Sequence, residues 1–197
     1  AAATALVLTA SAANAQKLET VVLAGGCFWC IESDFDRIPG VVGTVSGYTG
    51  GSIESPTYKL VSAGGSGHLE AIEITYDPSQ IKLDELLTAF WHSVDPTDAG
   101  GQFCDRGDSY ATAVFVHDEE ERQTAEISKQ AAVDELGQAI ATPIRDAGTF
   151  YPAEDYHQNY YMKNPIRYQF YRYSCGRNQR VKELWGDRAY QGIPDHG

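Results

Sequence analysis

The stretch KLETVVLAGGCFWCIESDFDRI, residues 17–38, changes its hydrophobic period halfway along. Its first part, Lys17–Ala24, ends in an apolar run that is typical of a β-strand. Gly25 and Gly26 then turn the chain. From Cys27 onward, apolar side chains recur at helical spacing, at Phe28, Ile31, Phe35 and Ile38. The stretch therefore predicts a strand, a glycine turn and a helix that begins at or just after Cys27.

Strands and helices continue to alternate along most of the chain. Apolar or alternating runs predict strands at Val41–Tyr48, Leu69–Tyr76, Tyr110–Val116 and Ile140–Arg145. Helical patterns predict a short helix after Ser55-Pro56, an amphipathic helix over Leu83–Val94, and a helix capped by Asp118 that runs to about Leu136. Residues 95–109 have turn composition without periodicity, which is typical of a functional loop. After about Phe150 the sequence becomes aromatic and irregular, with a last helix near Gln179–Trp185.

This order of elements predicts an α/β (α+β) two-layer sandwich. We expect a mixed central sheet with covering helices, a ferredoxin-like core and a long irregular C-terminal tail from about residue 150. Neither a repeat nor a linker divides the sequence. We therefore expect residues 16–197 to form a single domain.

Length and charge exclude several classes of protein. The chain has 197 residues, of which 43% are apolar and 21% charged, as in an ordinary globular domain. Its net charge of −12 disfavours binding to nucleic acid or to an anionic membrane. The tail from residue 156 onward is nevertheless basic. We expect it to lie against the acidic body as a structural strap.

The first fifteen residues, AAATALVLTASAANA, carry no charge. They are too few to cross a bilayer as a helix, and they end in Ala13-Asn14-Ala15, a small-x-small pattern that signal peptidase accepts. We interpret residues 1–15 as the remnant of a signal peptide, with cleavage near Ala15-Gln16. This predicts an exported protein in the periplasm, and a disordered leader is the alternative.

Cys27 is the most informative residue of the opening stretch. A cysteine at a helix N-terminus has its thiolate stabilised by free backbone N–H groups and the helix dipole, so we expect a lowered pKa and a nucleophilic sulfur. Cys30 completes a C-x-x-C pair, which is compatible with redox chemistry, zinc or a structural disulfide. Zinc would need further ligands. The other two cysteines, Cys104 and Cys175, are single and far apart, so we expect no metal.

Six blocks of sequence together resemble peptide methionine sulfoxide reductase A. They are GGCFWC, GVVGTVSGYTGG, SPTY, GHLEAIEITYDP, CDRGDSY and YHQNYYMKNP, and they occur in the order that the family shows. Each block alone is weakly specific, whereas the set is highly specific and covers about residues 20 to 165. The resemblance implies a catalytic domain that reduces methionine S-sulfoxide, in proteins and as the free amino acid, to repair oxidative damage.

The resemblance also implies roles for seven residues. Cys27 would attack the sulfoxide sulfur and become a sulfenic acid. Glu70 would supply a proton to the sulfoxide oxygen, and the hydroxyls of Tyr58 and Tyr110 would hold that oxygen. Asp105 would help to set the nucleophile and the substrate contacts. Phe28 and Trp29 would form the pocket for the substrate S-methyl group.

The cysteine that resolves the sulfenic acid is left open by the sequence. The family commonly uses a tail cysteine, here Cys175, and we give it a slight preference over Cys30. A relay through both is also allowed. Cys104 lies beside Asp105, and we expect it to be a small buried residue. Many family members carry Gly in place of Cys30 and Asn in place of Cys104.

Two other functions compete with sulfoxide reduction. A thiol–disulfide oxidoreductase would use the C-x-x-C pair but would not need Glu70 with Tyr58 and Tyr110. In an exported binding domain, the cysteines would be structural only. The resemblance favours the reductase, acting without a bound cofactor, as a monomer, with electrons from thioredoxin or a thioredoxin-like protein.

Overall fold

The structure is a computed structural model that describes residues 17–194. The predicted signal-peptide remnant, residues 1–15, lies outside the described residues. The secondary structure begins with β1 (Glu19–Gly25), α1 (Phe28–Phe35), β2 (Val41–Thr49), α2 (Tyr58–Ser62), β3 (Leu69–Tyr76) and α3 (Leu83–Trp91). It continues with β4 (Gly101–Gln102), β5 (Asp105–Arg106), β6 (Thr112–Val116), α4 (Glu119–Leu136), β7 (Ile144–Asp146) and β8 (Tyr151–Pro152). The described chain ends with α5 (Tyr160–Lys163), α6 (Pro165–Ser174) and α7 (Arg177–Trp185).

Six of these strands form one mixed sheet in the order β7-β6-β1-β3-β2-β8. The four central strands, in the order β6-β1-β3-β2, are paired antiparallel with one another. This is the strand order of a ferredoxin-like core. Strand β7 pairs with β6 in parallel. The predicted fold class is thereby confirmed. Strand β3 lies between β1 and β2, so its side chains are buried and close to the start of α1.

The main core lies between one face of the sheet and the helices. Leu23 and Ile72 of the sheet, Phe28 of α1, and Leu86 and Phe90 of α3 are all almost fully buried in this cluster. The opposite face packs a smaller cluster against residues 147–150. Removal of this apolar surface from water stabilises the two-layer arrangement.

Most elements predicted from periodicity agree with the structure within a few residues, and β3 has the predicted bounds. The strand predicted at Ile140–Arg145 is instead the shorter β7, which begins at Ile144, and the 95–109 loop contains the short strands β4 and β5. The predicted helix cap is also present, since the Asp118 side chain accepts the N–H of Glu121 at 2.9 Å. The expected long irregular tail is more regular than predicted. It contains the helices α5, α6 and α7. Some of their aromatic side chains pack on the body and others are exposed, so they form no apolar stripe at helical spacing.

The basic tail is attached to the acidic body through ion pairs, as the charge distribution predicted. Arg172 pairs with Asp34 at 2.7 Å, and both side chains are buried. Arg180 pairs with Asp95 at 2.7 Å, and Arg188 lies 3.0 Å from Glu135. Between residues 17 and 194, every helix is too short or too polar to span a membrane.

Candidate active site

Cys27 stands at the junction between β1 and α1. It occupies the N-cap position, and its carbonyl accepts the N–H of Cys30 at 3.1 Å and that of Ile31 at 3.4 Å. Gly26 before it has φ +81°, and a Cβ there would lie 2.6 Å from Cβ of Gln102. Glycine is therefore required by both the backbone conformation and the close approach of the loop, and this turn places Cys27 at the edge of the core.

A small cavity of about 50 Å³ opens beside Cys27. It has room for a group of about the size of a methyl. All seven residues that the sequence predicted as a site line this cavity, together with Tyr171: Cys27, Phe28, Trp29, Tyr58, Glu70, Asp105 and Tyr110. The fold thus brings together residues from β1–α1, α2, β3 and the 95–110 loop.

Glu70 lies on β3 and is 2% exposed. Its Oε2 accepts the backbone N–H of Phe28 at 3.1 Å, which fixes the carboxyl group beside the residue that follows Cys27. The pKa of Glu70 is raised to about 8, mainly by burial; the Phe28 N–H opposes the shift and the negative charge of Asp105 adds to it. At neutral pH the carboxyl is therefore mainly protonated and can donate a proton into the cavity.

The Cys27 thiol lines the cavity, and its side chain is hydrogen-bonded to that of Cys30, which lies one helical turn behind it. Burial raises the pKa of Cys27, with smaller contributions from Cys30, Glu70 and Asp105. The hydrogen bond from Cys27 lowers the pKa of Cys30 to about 7, with help from the positive charge of Arg177. The expectation of a lowered pKa at Cys27 is thus wrong for the resting site, because burial and neighbouring acids outweigh the helix N-terminus. Within the pair, the environment therefore favours the thiolate on Cys30 over that on Cys27.

Tyr58 and Tyr110 face each other across the cavity and are hydrogen-bonded through their hydroxyl groups. Burial raises the pKa of both phenols, and the negative charge of Glu70 adds to the effect. Both hydroxyls therefore stay protonated at physiological pH. They are suited to donating hydrogen bonds to an oxygen atom that gains negative charge in the cavity.

Trp29 is held by residues to which the sequence assigned no role. Its Nε1–H donates to Nδ1 of His157 at 3.0 Å, and its indole stacks on Tyr160 with ring centroids 3.7 Å apart. Burial lowers the pKa of His157, so the imidazole is neutral and can accept this bond. Both residues belong to the block YHQNYYMKNP that carries the family resemblance. The pattern of this block did not show that they contact Trp29.

Tyr171 is a further cavity residue that the sequence did not identify. It lies on α6, and its hydroxyl donates a short hydrogen bond to Oδ2 of Asp105. This contact positions the Asp105 carboxyl at the rim. Tyr171 belongs to the aromatic tail, where nothing in the local pattern separates it from its neighbouring tyrosines.

The cysteines are paired differently from the sequence-based expectation. Cys104 and Cys175 form a disulfide across a sequence separation of 71 residues, with Cα atoms 4.9 Å apart. Cys27 and Cys30 are free thiols. Cys104 is exposed, so the expectation of a small buried residue is wrong. The preference for Cys175 as the direct partner of Cys27 is also not supported here, because its sulfur is bonded to Cys104.

Comparison with known proteins identifies the family of this chain. The family model for peptide methionine sulfoxide reductase matches residues 19–189. Peptide methionine sulfoxide reductase MsrA 2 of Rhizobium meliloti is 48% identical over 92% of this chain and 90% of its own length. Methionine sulfoxide reductase A of Corynebacterium diphtheriae has a TM-score of 0.73 at 35% identity, covering 76% of each chain. Reduced Mxr1 of Saccharomyces cerevisiae also has a TM-score of 0.73, at 32% identity over 77% of this chain and 88% of its own. The chain belongs to the peptide methionine sulfoxide reductase family, and it is an oxidoreductase that reduces methionine sulfoxide.

Proposed function

We propose that Cys27 is the nucleophile of this reductase and that Glu70 is its proton donor. The observation that carries the proposal is one small cavity in which the Cys27 thiol faces a buried carboxyl of raised pKa and two phenol hydroxyls. A thiol–disulfide oxidoreductase would need the thiol pair alone. Disulfide exchange transfers no oxygen atom, so the polar cluster beside Cys27 favours a sulfoxide substrate over a disulfide.

The first step transfers the sulfoxide oxygen to Cys27. The substrate S-methyl group enters the space between Phe28 and Trp29, and its oxygen faces Glu70 and the two tyrosines. Cys27 loses its proton to the Cys30 thiolate and attacks the sulfoxide sulfur. This attack joins the two sulfur atoms while Glu70 protonates the sulfoxide oxygen. The hydroxyl group then passes from the substrate sulfur to the Cys27 sulfur as the bond between the sulfurs breaks, which leaves methionine, a Cys27 sulfenic acid and the Glu70 carboxylate.

The second step forms a disulfide between Cys27 and Cys30. The Cys30 sulfur attacks the sulfenic sulfur, the S–OH bond breaks, and the Cys30 proton joins the leaving hydroxide to form water. Cys30 is suited to this step because it is one helical turn from Cys27, already in hydrogen-bond contact with it, and has its pKa lowered to about 7. A dithiol of the thioredoxin type then returns two electrons and two protons. Yeast Mxr1 has been solved in complex with Trx2, which supports this class of donor.

The shape of the site also supports selection of one epimer. A sulfoxide sulfur carries an oxygen, a methyl group and the rest of the methionine side chain. Once the methyl group lies on the Trp29 side and the oxygen on the Glu70 side, only one configuration leaves the main chain in solvent and the sulfur open to Cys27. The family resemblance identifies this configuration as the S epimer.

The decisive experiment measures methionine release from separate S- and R-sulfoxide epimers in a single turnover. We expect methionine from the S epimer with wild type and none with Cys27→Ser. Cys30→Ser should still release one methionine and leave a sulfenic acid that dimedone labels. Methionine formation by Cys27→Ser, or equal rates for the two epimers, would contradict the proposal.

We further propose that the protein is exported to the periplasm and acts there as a monomer. Export is supported by the uncharged leader and its Ala13-Asn14-Ala15 pattern. Activity as a monomer is supported because one chain supplies every residue that lines the catalytic cavity. N-terminal sequencing of the periplasmic fraction should begin at Gln16, and light scattering should give the mass of one chain. A cytoplasmic protein that retains the leader would refute export.

A further inference from the structure

The Cys104–Cys175 disulfide lies at the outer edge of the catalytic site. Cys104 is exposed, and the disulfide lines an open cavity of about 410 Å³ next to the smaller catalytic one. Trp29 and Tyr171 line both cavities, so these two side chains form the wall between them. A protein reductant can approach the outer disulfide from solvent, whereas Cys27 and Cys30 are buried.

Helix α6 connects the two pairs of cysteines. Tyr168 packs against the buried Cys27–Cys30 pair, Tyr171 follows it by three residues, and Cys175 caps the helix four residues later. Residues at this spacing share one face of a helix. Asp105 completes the connection, since it lines the catalytic cavity and its carboxylate oxygens lie 3.9 Å from Sγ of Cys104 and 3.8 Å from Sγ of Cys175.

The tail does not depend on this disulfide for its attachment. Arg172 forms the buried ion pair with Asp34, and the buried Arg177 donates to the carbonyl of Gly25 at 3.2 Å and to that of Ser93 at 3.0 Å. These contacts lie on both sides of Cys175 in the sequence. A solely structural role for the disulfide would therefore duplicate existing contacts, whereas exposed disulfides are generally the reducible ones.

We propose that Cys104 and Cys175 are a second redox pair, which takes up the oxidising equivalent from Cys27–Cys30 and passes it to the external reductant. This inference rests on the proposed function of Cys27 and Cys30. With all four cysteines reduced, one turnover forms the Cys27–Cys30 disulfide. One outer thiolate attacks that disulfide and gives a mixed disulfide, and the other outer thiol then attacks the mixed disulfide.

This exchange breaks the Cys27–Cys30 bond and forms the Cys104–Cys175 bond. Two electrons and two protons move from the outer pair to the inner pair, and no further reagent is consumed. The pairing in the structure, with inner thiols free and the outer pair bonded, is the state that follows this exchange. Reduction of the outer disulfide by a dithiol donor then closes the cycle.

The proposal predicts both the location of the first disulfide and the number of turnovers. The protein is fully reduced with dithiothreitol, desalted without oxygen and given one equivalent of methionine sulfoxide. After alkylation, peptide mapping should find Cys104 linked to Cys175, with Cys27 and Cys30 alkylated. With excess substrate and no reductant, wild type should release about two methionines per chain, because each consumes two thiols.

The matched variant is Cys104→Ser with Cys175→Ser, which should release about one methionine per chain and end with Cys27 linked to Cys30. Two wild-type results would together overturn the relay and leave the proposed function intact. The disulfide would stay at Cys27–Cys30 after one equivalent of substrate, and excess substrate would yield only one methionine per chain. A fully reduced wild type that releases no methionine would instead overturn the proposed function. A disulfide that resists dithiothreitol under native conditions would also refute the relay.

Discussion

Replacement of Glu70 by Gln tests whether the acid that we propose as the proton donor also destabilises the protein. Burial raises the pKa of Glu70 from 4.5 to about 8, so the native state binds a proton that the unfolded chain releases above pH 4.5. The contribution of Glu70 to the free energy of unfolding therefore falls as pH rises from about 4.5 to 8. At 1.36 kcal/mol per pH unit, this contribution reaches about 3 kcal/mol at pH 7.

Gln cannot ionise, and its side-chain oxygen can still accept the N–H of Phe28. We therefore expect Glu70→Gln to match wild type in stability near pH 4 and to be more stable by about 3 kcal/mol at pH 7. Urea unfolding at several pH values measures this difference, and Glu73→Gln on the same strand is the control for the loss of one carboxylate. A difference between Glu70→Gln and wild type that does not grow with pH would refute the assigned burial of the charge.

The same substitution should slow methionine formation in a single turnover by about 100- to 10,000-fold, the range for loss of a general acid. Wild-type kcat/KM should rise with the ionisation of the thiol pair, for which Cys30 has a pKa of about 7, and fall with ionisation of Glu70 at about 8. Glu70→Gln should lack the alkaline fall. An alkaline limb that persists in this variant would assign it to another group.

Two further substitutions test the oxygen site and the attachment of the tail. Tyr58→Phe and Tyr110→Phe should each lower the single-turnover rate by up to about 100-fold with little effect on stability. Each substitution removes one hydrogen-bond donor to the oxygen that gains negative charge. Single-turnover rates equal to that of wild type would exclude this role. Arg172→Met should destabilise the protein by about 3–5 kcal/mol in urea unfolding, because it leaves Asp34 buried without its cation. Addition of Asp34→Leu should recover part of that loss, and no recovery would indicate that Arg172 acts through packing alone.

Much of the fold followed from local patterns. The strand Leu69–Tyr76 was predicted with its observed bounds, because its apolar run is closed by Asp77-Pro78 and opened by a glycine-rich segment. The tail was harder to predict. Helix α6 carries arginine and tyrosine on several sides, and Arg172 is one of its buried residues. The sequence therefore shows no apolar stripe from which this helix could be predicted.

The site was predicted as a set of residues but not as an electrostatic arrangement. A resemblance of motifs was sufficient to name the seven residues that meet at the cavity. It could not show that a hydrogen bond from Cys27 lowers the pKa of Cys30. The pKa values of the two thiols depend on burial and on the positions of Arg177 and Asp105, which only the folded chain defines. The roles of His157 and Tyr160 likewise depend on the side chain that they support.

The sequence by itself determined the strand–turn–helix unit around Cys27, since a glycine turn and a change of hydrophobic period are local properties of the chain. It also determined the residue types needed for sulfoxide chemistry. Only the tertiary structure decided how the four cysteines are paired, because Cys104 and Cys175 are 71 residues apart and meet only when α6 packs beside the 95–110 loop. It likewise decided which acid is protonated, since the pKa of a carboxyl depends on the solvent and charges that folding removes or brings near.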